Sequence, residues 1–105
     1  ITEAKIYIER ALKKAEASND IQLQTKIGPY YSKILIIKNR FKEAEKRLKK
    51  YLKLNKKEKH YFKIKTCYKL LQELYRKQKK THISNKYFKK FMNIKPCDIK
   101  IDIFI

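Results

Sequence analysis

Few side chains in this chain could do chemistry: His60 and His82, Cys67 and Cys97, ten carboxylates, and twenty-nine lysines and arginines. Acid–base catalysis needs titratable groups that converge, and the two histidines stand at the starts of helical patterns, far from any carboxylate pair or nucleophile motif. Glu43 and Glu45 are two apart in a helical stretch, so their side chains diverge. Cys67 and Cys97 lack metal-ligand spacing. Cys67 falls on an apolar helical face, as a buried thiol would, and the pair suits a reducing compartment, read as the cytoplasm. There is no glycine-rich phosphate loop, no nucleophile elbow and no His/Cys/Asp cluster. The expectation is a non-enzymatic chain with no catalytic residue, no metal site and no cofactor. What remains is charge and surface.

The net charge is +19, carried by twenty-five lysines and four arginines (Arg10, Arg40, Arg47 and Arg76). Such an excess invites a nucleic-acid reading, but lysine is a point charge, whereas base and phosphate readers favour the arginine fork. The excess is also local. Residues 1–20 are balanced, with Lys5, Arg10, Lys13 and Lys14 against Glu3, Glu9, Glu16 and Asp20, so the whole of it lies in 21–105. No apolar run approaches the length of a membrane span, and no membrane partner is expected.

The elements that must position these charges follow from a repeat. Forty residues separate Ala4, Ala44 and Ser84, and the same interval relates Ile8/Leu48/Phe88, Ala11/Tyr51/Phe91 and Leu12/Leu52/Met92. A small residue followed by apolar ones four, seven and eight positions later makes one helical face. Repetition at such a period is the mark of a solenoid. Helices are expected over 2–17, 21–38, 41–54, 58–78 and 82–93, joined by turns at Ser18-Asn19-Asp20, Lys38-Asn39-Arg40, Asn55-Lys56-Lys57 and Lys77 to Thr81. Asp20 is placed to cap the second helix. Gly28-Pro29 interrupts that helix and predicts a kink or a break, which either bends it or shapes a binding groove. Connections this short make consecutive helices antiparallel. The fold class is all-α: antiparallel helix-pair repeats forming an α-solenoid of about five helices.

Two domain-level segments result, a helical repeat domain over 1–93 and a tail over 94–105. After Pro96 the tail alternates apolar and polar residues (Cys97 to Ile105), which is strand chemistry; it could cover the open end, pair with a partner, or stay unstructured. The chain opens on Ile1 with the repeat already running, and is read as part of a longer solenoid.

Unequal helices repeated in pairs, the second opened by a small residue, resemble the tetratricopeptide repeat. The first helix of that family carries a large apolar residue, a small one directly after it, and a bulky one three further on. Tyr31-Ser32 and Leu35 match, as do Leu71 and Tyr75, although Gln72 stands where a small residue is usual. In the second helix Phe41, Ala44, Leu48 and Tyr51 match, and Ser84, Phe88 and Phe91 match in the last copy. Thr81 replaces the family's aromatic, no proline closes the second helices, and the period of forty exceeds the usual one of about 34 residues. The chain is thus similar to the extended variety of the repeat found in scaffold proteins and signalling regulators, over residues 1–93.

The resemblance implies a groove lined by the first helices, where peptides or helices lie. On this chain it would be lined by Lys26, Tyr30, Lys33, Ile37, Thr66, Lys69, Glu73, Arg76 and Lys77. Lysine mixed with Tyr and Ile suits an acidic or C-terminal peptide. The Asn and Lys pattern that clamps a terminal carboxylate in chaperone-binding members is not reproduced. A protein or peptide partner is the leading expectation. The alternatives are a nucleic-acid partner, with Lys56 to Lys65 and Arg76 to Lys90 on phosphates, and self-association through the terminal repeats and the tail.

Overall fold

The structure, a computed structural model, describes residues 2–94, and of Thr2 the backbone alone. Among them are five helices and no strand: α1 (Thr2–Ala17), α2 (Ile21–Ile37), α3 (Phe41–Glu58), α4 (Tyr61–Lys77) and α5 (Thr81–Asn93). Each packs on its neighbours in sequence, and α2 also touches α4. The result is a solenoid of helix pairs, α2 with α3 and α4 with α5, preceded by α1. The alternating stretch after Pro96 lies outside the described residues.

The turns repeat twice as often as the apolar register. Asn19, Asn39, Lys59 and Lys79 all take left-handed backbone, with φ of 55°, 62°, 57° and 59°. In each case the next N–H donates to a carbonyl five residues back: Asp20 to Ala15 (2.8 Å), Arg40 to Leu35 (2.8 Å), His60 to Asn55 (3.0 Å) and Lys80 to Tyr75 (2.9 Å). This is the reversal that closes a helix when one residue can turn left-handed; Asn tolerates that conformation better than Lys. Asp20 then caps α2, accepting from the Leu23 N–H at 3.1 Å. Arg40, His60 and Lys80 make no side-chain cap.

Two boundaries differ from expectation for the same reason. Asn55-Lys56-Lys57 reads as a turn, yet α3 continues to Glu58 and α4 begins at Tyr61. Asn55 is buried in the α3–α4 contact, and its Nδ2 reaches the Cys67 Sγ at 3.7 Å. The turn falls instead on Lys59-His60, in register with the other three.

The apolar register fills the core. Ala44, Leu48, Tyr51 and Leu52 of α3 are buried with Leu35 and Ile36 of α2 and with Ile64, Tyr68, Leu71, Leu74 and Tyr75 of α4. Truncating a fully buried leucine such as Leu48 or Leu71 to alanine costs about 2–5 kcal/mol in such a setting. Small residues sit at the close approaches: Ser32 and Ala44 are both fully buried, and Ser84 bonds the Gln72 carbonyl across α4–α5 at 3.0 Å. The outer copies depart from the expected face: Ala4 in the first is exposed, and so are Phe88 and Met92 in the last, where α5 has no further helix to pack on among the described residues. Among the described residues α1 packs on α2, with one ion pair reaching it from Arg47 of α3 to Glu16, and Ile6 and Tyr7 stay exposed on its other face.

The kink or break expected at Gly28-Pro29 is not a break: α2 runs through it. Gly28 instead makes room for Tyr51. A Cβ at Gly28 would overlap the far end of that ring, 2.6 Å from its hydroxyl. Proline costs the helix one hydrogen bond, and the surrounding bonds, with the extra one from Ser32 Oγ to the Gly28 carbonyl (3.0 Å), carry the backbone across the gap.

Candidate functional site

Helices α2 and α4 are the first members of their pairs, alternate in the chain, and therefore run in the same direction side by side. Between them lies a cavity of about 690 Å³, open on one side. From α2 it receives Thr25, Lys26, Pro29, Tyr30 and Lys33, and from α4 Phe62, Lys63, Lys65, Thr66, Lys69, Leu70 and Glu73. Phe91 of α5 closes one wall. The spacing explains the membership, because 26, 29/30 and 33 share a face of one helix as 62, 65/66, 69 and 73 share a face of the other.

Six residues that the resemblance places in a groove line this cavity: Lys26, Tyr30, Lys33, Thr66, Lys69 and Glu73. The remaining assignments, Ile37, Arg76 and Lys77, do not line the cavity. They lie further along the same helices, all three exposed, and Lys77 Nζ donates back to the Ile36 carbonyl at 3.3 Å. The groove list of the sequence analysis lacks Thr25, Pro29, Phe62, Lys63, Lys65, Leu70 and Phe91. Phe62 carries a usable signal, as a large apolar residue one position off the stripe of Tyr61, Ile64, Cys67 and Tyr68; the structure leaves it 63% exposed. Lys63 and Phe91 offer no such signal, because the first depends on a partner side chain in α2 and the second occupies a core position of its own helix.

The floor and walls are apolar (Pro29, Leu70, Tyr30, Phe62 and Phe91), and the rim carries five lysines against one carboxylate, Glu73. Lys65 lies over the Phe91 ring, 4.7 Å from its centroid. Lys63 is half-buried and bonds Thr25 Oγ1 at 3.0 Å and Gln22 Oε1 at 3.3 Å. Burial, and then the charge of Lys26, hold its pKa below the usual lysine range. The ion pairs of the described residues lie elsewhere, on α1 and α3: Lys5–Glu9, Arg47–Glu16, Arg47–Glu43 and Lys49–Glu45. The outer helices thus neutralise part of their own charge, and the groove does not.

The groups with catalytic or ligating potential are dispersed. His60 is the residue before α4 and His82 is the second residue of α5. Burial pushes the Cys67 thiol up to about 11, so it stays protonated near neutral pH. Among the described residues no three His, Cys, Asp or Glu side chains gather where they could hold a metal ion. No described helix is long and apolar enough to cross a membrane. What the arrangement can do is hold an extended apolar group while presenting ammonium groups to anions beside it. Comparison of the chain with protein-family models, with curated proteins and with solved structures finds no match.

Proposed function

We propose that the helical repeat is a non-enzymatic protein- or peptide-binding module, and that its groove takes an acidic peptide segment. One observation carries this reading: an apolar-floored cavity of about 690 Å³ whose rim holds Lys26, Lys33, Lys63, Lys65 and Lys69 against Glu73 alone. Apolar contact supplies the affinity there, and unneutralised charge selects the sign of the partner. The resemblance to the extended tetratricopeptide repeat suits it, since the groove belongs to the first helices and Ser32, Ala44 and Ser84 are buried where that family places small residues. A scaffold or regulator of the cytoplasm fits this surface, and the free buried thiol of Cys67 is compatible with that compartment.

The test is a titration with a fluorescent acidic peptide at low salt. Lys26→Glu and Lys69→Glu, both on the rim, should each weaken binding by about tenfold or more, as like charges replace attraction. Arg76→Glu, outside the cavity, makes the same change in net charge and should do much less. Equal affinity in all three variants removes the groove assignment.

A nucleic-acid reading draws on Lys86, Lys89 and Lys90, which no carboxylate of α5 offsets. It requires an affinity that falls linearly on a log–log salt plot with a slope set by the phosphates contacted. A flat salt response with duplex DNA or RNA ends that reading.

A further inference from the structure

The lysines of the groove are not equivalent. Lys26, Lys33 and Lys69 are exposed and make no hydrogen bond or ion pair among the described residues. Lys63 reaches from α4 back to α2, where Thr25 Oγ1 and Gln22 Oε1 accept from its ammonium at 3.0 and 3.3 Å. Both acceptors are neutral, so the charge is fixed in place without being cancelled. No carboxylate among the described residues pairs with it. An ammonium has three donors, and two are used, which leaves one for an acceptor in the groove. A side chain already held in position loses less freedom on binding than a free one. An anion placed there also lies beside Phe62 and Pro29, where water is partly excluded and the attraction is stronger than in open solvent.

Among the lining residues the one carboxylate, Glu73, lies towards the other end, one helical turn from Lys69. It is ten residues beyond Lys63 on α4, about 15 Å at the helical rise of about 1.5 Å per residue, and it opposes a second carboxylate. An extended peptide covers that distance in about four or five residues.

From this asymmetry we infer that Lys63 is the anion-anchoring residue of the groove, and that its ligand is a peptide segment pairing a carboxylate with an adjacent aromatic or aliphatic side chain. The carboxylate meets Lys63, the apolar side chain lies on Pro29 and Leu70, and the residue reaching Glu73 is neutral or basic. This rests on the peptide-binding reading above, and adds which lysine selects and what it selects for.

The experiment is a double-mutant cycle on the full chain. One probe is a short fluorescent peptide with Glu and Asp beside a central Phe; the other is its counterpart with Gln and Asn. Lys63→Gln should weaken the acidic peptide by about tenfold, the worth of one charge-assisted hydrogen bond, and leave the neutral peptide unchanged. Lys63→Arg should restore most of the loss. Lys42→Gln, an exposed change on α3 with the same loss of charge, should move the acidic peptide less than twofold, because solvent and salt screen a surface charge away from the groove. Equal losses for both peptides in Lys63→Gln would show that Lys63 acts through the α2–α4 contact, and overturn the anchoring role while leaving the groove intact. Failure of the unmodified chain to bind either peptide overturns the peptide-binding reading, and the anchor with it.

Discussion

Replacing Gly28 by alanine tests the packing that gives the groove its α2 wall. In an open helix interior this change is favourable by about 1 kcal/mol, because alanine orders at less cost than glycine. At Gly28 the added methyl would overlap the far end of the Tyr51 ring, with the hydroxyl only 2.6 Å away. The ring has nowhere to go: Tyr51 is 1% exposed, and Arg47 Nη1 donates to its hydroxyl at 3.3 Å. Overpacking of this kind costs about 1–3 kcal/mol, and an overlap this deep belongs at the upper end. The net expectation is a loss of about 1–2 kcal/mol, read by urea unfolding followed by circular dichroism. Tyr51→Leu removes the obstructing ring and is itself destabilising, as a large core truncation must be. In that background Gly28→Ala should become stabilising by about 1 kcal/mol, so the cycle carries a coupling of about 2–3 kcal/mol. If Gly28→Ala stabilises both backgrounds equally, Gly28 is not a close-approach residue and the α2–α3 contact does not depend on its missing side chain.

Other outcomes follow from the turns and from one buried phenol. Lys59→Gly and Lys79→Gly relieve left-handed backbone at non-glycine positions and should each raise the unfolding free energy by about 0.5–1 kcal/mol; a loss at either site would contradict the turn geometry. Asp20→Ala removes the one side-chain N-cap seen among α2 to α5 and should cost about 1 kcal/mol, measured by the same unfolding assay. Burial, and then its 2.6 Å hydrogen bond to Glu45 Oε1, push the Tyr75 hydroxyl up to about 12. The folded chain therefore holds this proton more tightly than the unfolded one, whose value is 10.0. The resulting stability is whole below the unfolded value and is lost as pH rises from there to the folded value. Tyr75→Phe should abolish the most alkaline step in a spectrophotometric tyrosine titration, and a step that persists there belongs to another residue.

The fold was legible wherever burial follows helical period. Ala44, Leu48, Tyr51 and Leu52 repeat earlier and later in the chain, and the structure buries all four. It was less legible where a polar residue is used inside. Asn55 looks like a helix stop, but it packs against Cys67 with its Oδ1 unpartnered, and the true stop at Lys59 has a side chain that does not favour the conformation. The stronger signal was the interval of twenty between Asn19, Asn39, Lys59 and Lys79, which fixes the turn whatever residue fills it. In the groove, Lys26, Tyr30, Lys33, Thr66, Lys69 and Glu73 followed from the resemblance, which names the helices and the face, while Ile37, Arg76 and Lys77, named with them, lie beyond the cavity. Lys63 was not named, because its position depends on acceptors thirty-eight and forty-one residues away. Phe91 was not either, since a residue counted as core in α5 turns out to wall a cavity made by α2 and α4.

The central claim is that the α2–α4 groove, and not the basic surface at large, receives an acidic peptide. Amide chemical-shift mapping on titration with the acidic, Phe-containing peptide tests this most directly. Saturable shifts are expected at Thr25, Lys26, Tyr30, Lys33, Lys63, Thr66 and Lys69, with the amides of Lys42, Lys46 and Lys49 on α3 nearly still. Shifts spread evenly over the lysines of α3 and α5, without saturation at the groove, would contradict it.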